Sequence, residues 1–167
     1  MKDSVNEYLL LSALRHAIDL RNSMNLNGLS DDSGALSSVE YLLEILSLKR
    51  KYGLTKAIHL KSHPLAEGCV GVSLALSHGS PIRVQHINTF REWALSFIYE
   101  VSLGLNDEEL LQFIDNNYRL VLVTVLQSRV LRSHFIKGHG IQRLDYIGLK
   151  LDTIFRTSHF ESPKLIH

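Results

Sequence analysis

The sequence predicts a mainly α protein, a single compact domain of six or seven helices, on three observations. Four Ser, Thr or Asn residues that open apolar-rich runs each stand three positions before a Glu: Ser4 and Glu7, Ser37 and Glu40, Thr89 and Glu92, Asn106 and Glu109. Such a pair caps a helix start reciprocally, the short side chain accepting from the third amide while the carboxylate accepts from the cap's own amide. Each box precedes an apolar-rich run. Near the C-terminus Ile141, Leu144, Ile147, Leu151, Ile154 and Phe155 recur at three- and four-residue steps, the period of one helix face.

Taken in order, the first helix is expected from about Val5 to Met24, with Leu10, Leu14, Ala17 and Ile18 on its apolar face, stopping before Asn25-Leu26-Asn27-Gly28. The second carries Leu42, Leu43, Ile45 and Leu46. It ends in Lys49, Arg50 and Lys51, where the helix dipole favours cations, and meets Gly53 as a C-terminal cap. Between Leu54 and Pro81 the prolines and glycines predict a loop with a short helix or strand. A helix containing Trp93, Leu95, Phe97 and Ile98 then ends at Gly104, and Asn106 caps a short one through about Phe113. The run from Arg119 to Gln127 is β-branched enough for a buried strand. No neighbouring alternation or hairpin turn offers it a partner, so helix is expected over 117–136. In the final helix Arg143, Lys150 and Arg156 fall off the apolar stripe.

Domain organisation follows from length and similarity within the chain. At 167 residues one domain over 1–157 is expected, with a tail over 158–167. Gly28-Leu29-Ser30-Asp31-Asp32 resembles Gly104-Leu105-Asn106-Asp107-Glu108, which leaves two readings open: two related halves, 1–63 and 81–157, or chance similarity of short capped hairpins. With 45% hydrophobic and 21% charged residues, the composition excludes disordered, collagenous and coiled-coil classes. No apolar run approaches the roughly 18 residues of a membrane span. The single cysteine, Cys69, and the lack of a signal-peptide layout after Met1 make a reduced, cytoplasmic setting the expectation, with no membrane association.

Charge is uneven along the chain. Residues 128–167 hold seven Lys and Arg against three acids, net +4, while the remainder is net −3. A basic end on a near-neutral chain points to a polyanion-facing surface, and the residues expected to contact nucleic acid are Arg129, Arg132, Lys137, Arg143, Lys150 and Arg156. The four consecutive apolar residues Tyr8, Leu9, Leu10 and Leu11 exceed what one core contact covers, so a homodimer through the first helix is expected.

Signals for chemistry are sparse. His59 and His63 stand four apart, a spacing zinc can use, but no Glu follows His59, Pro64 interrupts, and only Cys69 is near as a third ligand; no metal is expected. Cys69 among Val70 and Val72 reads as a buried thiol rather than a nucleophile. Phosphate-binding glycine loops are absent, and neither a cofactor nor catalytic residues are expected.

Two resemblances bear on function. Arg132 with His139 resembles the Arg-x4–6-His motif of helical HEPN ribonucleases, where Arg would stabilise phosphate charge and His would move the 2′-hydroxyl proton; Gly138 departs from the helix that normally presents that motif. The stretch from Phe90 to Phe135, with Leu103-Gly104-Leu105-Asn106-Asp107-Glu108 and Ser133-His134-Phe135, resembles the flagellar master regulator FlhD family, and Tyr8-Leu9-Leu10-Leu11 echoes that family's opening helix. That resemblance implies a small helical dimer acting in transcription activation with a zinc-containing protein partner. The expectation is thus a non-catalytic transcription regulator working through nucleic acid or a protein partner, with a metal-independent ribonuclease or a protein-interaction or immunity module as the alternatives.

Overall fold

The computed structural model describes residues 6–30, 34–133 and 141–153 and is mainly helical, as the sequence predicts. In chain order the elements are α1 (Glu7–Leu26), α2 (Ala35–Tyr52), a 3-10 helix (Ala57–Ser62), α3 (Val72–Ser77), β1 (Ile82–His86), α4 (Phe90–Ser102), α5 (Asp107–Asn117), β2 (Leu120–Thr124), α6 (Val125–Ser133) and α7 (Ile141–Tyr146). They sort into two compact units, each assembled from two separate stretches of chain. Unit 1 is Met1–Thr55 with Thr89–Tyr118, and unit 2 is Lys56–Asn88 with Arg119–His167. No described helix is long and apolar enough to cross a membrane.

Unit 1 contains α1, α2, α4 and α5. Helix α2 packs against each of the other three, bringing Val39, Leu43 and Leu46 against a core that includes Leu11, Leu14, Ile18, Phe97, Leu110 and Ile114. The lone tryptophan anchors this core: Trp93 stacks on Phe113 at 5.4 Å and lies 5.8 Å from Tyr118, and its indole N–H donates to buried Ser47 at 3.3 Å. The Tyr118 hydroxyl donates to Glu44 at 3.0 Å; burial, reinforced by that carboxylate, pushes its pKa well above the usual phenol range. Two capping boxes form as expected, Thr89 with Glu92 and Asn106 with Glu109. The other two do not cap their helices as expected. Asn6, not Ser4, caps α1 by accepting from the Tyr8 amide, and Ser4 lies outside the described residues. Helix α2 already starts at Ala35, because Ala35 and Leu36 are buried by being helical, and this leaves Ser37 inside the first turn. Its other end matches expectation, with Gly53 in the left-handed conformation at φ 63°.

Unit 2 is built around β2, and here the expected helix over 117–136 is corrected. Leu120–Thr124 is a strand paired antiparallel with β1, from Ile82 opposite Thr124 to His86 opposite Leu120. On its other side β2 meets residues 67–69: the Cys69 amide donates to Leu122 at 2.9 Å and the Leu122 amide to Glu67 at 2.7 Å. A further extended stretch joins beyond, through the Val70 amide to Lys150 and the Asp152 amide to Gly68, both 2.8 Å. With neighbours on both edges and both faces, Leu120, Val121, Leu122 and Val123 are at most 1% exposed, which is why the run is apolar throughout rather than alternating. The C-terminal helix is also shorter than predicted. It stops at Tyr146, since Gly148 at φ 72° turns the chain and Leu151 pairs with Cys69 instead of extending the helical stripe. Ile154 and Phe155 lie outside the described residues.

Candidate nucleic-acid interface

The arrangement of unit 2 gathers charge that is scattered in sequence. Among the described residues it holds eight Lys and Arg and three acids, net +5. The described residues of unit 1 hold six Lys and Arg and ten acids, net −4. Charge in a chain of net +1 is therefore sorted between the two units.

Helix α6 supplies the best-placed cations. It begins directly at the end of β2 through a reciprocal box that the sequence reading missed: the Gln127 amide donates to Thr124 Oγ1 at 3.2 Å, and the Thr124 amide to Gln127 Oε1 at 2.9 Å. This Thr-x-x-Gln spacing is the same signal that marks the other helix starts. Ser128 and Leu131 are buried, the Ser128 hydroxyl donating to Gln85 on β1 at 3.1 Å, so Arg129 and Arg132 are left on the exposed side. Gln127 also donates to the Val70 carbonyl at 2.7 Å, and Val70 in turn donates to Lys150. Lys150, exposed, thus shares a neighbour with the first turn of α6.

The other expected contacts fare differently. Arg143 is 6% exposed, a correction to its expected place off the apolar stripe: α7 is only six residues long, and Arg143 is buried on it beside Leu144. Lys137 and Arg156 lie outside the described residues, as does His139, so Arg132 is the only described member of the ribonuclease-like pair. The sequence gradient did not find Arg83 on β1 and Lys56, both exposed cations that belong to the same unit although they precede residue 128. Arg119 is half-buried and ion-paired, its guanidinium gripping Glu67 with two bonds of 2.5 and 2.6 Å.

The histidine and cysteine pattern does not converge on a metal. His59 sits on a 3-10 helix, whose three-residue turn does not stack positions four apart, and His63 Nδ1 accepts from the Leu65 amide at 3.2 Å. Among the described residues no group of three His, Cys, Asp or Glu side chains is placed to hold an ion. Cys69 is fully buried, and burial pushes its thiol up to about 11, away from nucleophilic use. No protein-family model matches the chain, and neither curated proteins nor solved structures give a significant match.

Proposed function

We propose that unit 2 binds the phosphate backbone of nucleic acid and that the protein is a non-catalytic, cytoplasmic regulator of transcription, acting as a homo-oligomer and with a protein partner. The observation that supports this reading is the segregation of charge between the units, net +5 in unit 2 against net −4 in unit 1 among the described residues. A net-basic unit attracts polyanions and a net-acidic one repels them, so the segregation favours binding through unit 2 over general stickiness.

Fluorescence anisotropy with duplex DNA and with RNA across a salt series tests it. Affinity is expected to fall steeply with salt, and Arg129→Ala, Arg132→Ala and Lys150→Ala are each expected to lower the log-log slope by about one. Arg21→Ala, in unit 1, is expected to leave the slope unchanged. Absence of binding at low salt would remove nucleic acid from the function.

A further inference from the structure

Helix α1 presents its core residues Leu11, Leu14 and Ile18 to unit 1, yet its opposite side has an order of its own. Leu9, Ser12, His16, Asp19, Ser23 and Leu26 are all exposed and follow one another at steps of 3, 4, 3, 4 and 3. These are the a and d spacings of a heptad, the spacing by which one helix seats against another. The two terminal leucines are 67% and 88% exposed, a large apolar surface to leave in water. The order of residue types is nearly the same read from either end: leucine, serine, a histidine–aspartate pair, serine, leucine.

We propose that this face of α1 is an antiparallel, two-fold interface with a second copy of this chain. A two-fold axis between His16 and Asp19 sets Leu9 against the partner's Leu26, Ser12 against the partner's Ser23 and His16 against the partner's Asp19, and repeats each pair by symmetry. Hydrophobic and electrostatic complementarity are satisfied by the same operation. A parallel arrangement would oppose Asp19 to the partner's Asp19 and His16 to the partner's His16. The serines are small enough for close approach of the two backbones. On the flank, Ala13 comes beside the partner's Leu20, which is 57% exposed in the single chain. His16 Nδ1 donates to the Ser12 carbonyl of its own helix at 2.7 Å, so Nε2 donates to the partner's carboxylate only in the doubly protonated ring. Polar residues at such positions fix register and orientation at some cost in affinity, so a specific dimer of moderate strength is the expectation. The inference deepens the homo-oligomer of the preceding reading and is independent of nucleic-acid binding.

Sedimentation equilibrium of the full chain at tens of micromolar is expected to give twice 18.9 kDa. His16→Asp, which makes carboxylates face each other, and Leu26→Glu should each weaken the dimer at least about tenfold. The exchanged variant His16→Asp/Asp19→His rebuilds the histidine–carboxylate pairs and should restore it, which no loss of fold would allow. A variant with both Leu9→Cys and Leu26→Cys should oxidise to a covalently linked dimer. Leu9→Cys alone should not, because the two copies of that position lie about 25 Å apart in the antiparallel register. A monomeric wild type would overturn both the interface and the homo-oligomer. A dimer indifferent to both single substitutions would overturn the interface alone, and failure of the exchange to restore association would overturn its antiparallel register.

Discussion

Arg50 ties three helices of unit 1 through one guanidinium. Its Nε and Nη2 donate to Asp115 on α5 at 3.0 and 2.8 Å, and its Nη1 donates to Glu7 on α1 at 2.9 Å. The three side chains are 27–33% exposed, so water screens the attraction, and Arg50→Ala is expected to destabilise by only about 1 kcal/mol. Arg50→Lys should recover little of that, since an ammonium cannot make the forked contact; urea midpoints followed by Trp93 fluorescence measure both. Two buried groups make stability fall at alkaline pH. A group whose folded pKa is raised leaves the folded state holding more protons than the unfolded one, so its stabilisation is complete below the unfolded pKa and declines as pH rises. For Cys69 the decline runs from its ordinary 9.0 to about 11. Tyr118 adds a loss that begins where an unfolded phenol ionises, at about pH 10. Tyr118→Phe is expected to cost about 1 kcal/mol at neutral pH through the lost bond to Glu44 and to flatten the fall above that point. A variant as alkali-sensitive as the wild type would show that Tyr118 is not responsible.

At the scale of elements, the junction between β2 and α6 rests on Gln127, which closes the capping box and holds the Val70 carbonyl. Gln127→Ala is expected to cost unit 2 about 1–2 kcal/mol, read as earlier exposure of the Cys69 thiol to a disulfide reagent in a urea series. Unchanged exposure would mean that the junction is held by packing alone. Most helices of unit 1 were legible in sequence because caps and apolar periodicity are local: Thr89, Asn106 and Gly53 mark their ends within a few residues of the helices they bound. The strand β2 was not, for a physical reason. Its partners, Ile82–His86 and residues 67–69, precede it by more than thirty residues, across α4 and α5, and no local pattern announces a pairing made at that distance. Thr124 and Gln127 did carry the correct signal for where the strand gives way to helix, and a helix assigned over 117–136 hides it. Arg129 and Arg132 were singled out by the basic run alone, and α6 leaves both exposed, whereas Arg143, singled out on the same ground, is buried.

For the whole molecule, the only cysteine falls in unit 2 and the only tryptophan in unit 1, which gives each unit a native reporter. The interleaving of the two units has a consequence in time. Unit 1 is complete in sequence at Tyr118, whereas the stretch 56–88 has no central strand until Leu120–Thr124 arrives. Bringing β1 to β2 across the intervening chain costs about 3 kcal/mol of closure entropy if that chain is unstructured. The cost shrinks once α4 and α5 have folded back on each other, with Tyr118 against Trp93. In refolding, Trp93 fluorescence should therefore recover before Cys69 becomes protected, and until it does β1 waits as an unpaired edge, the interval in which this chain is most open to aggregation.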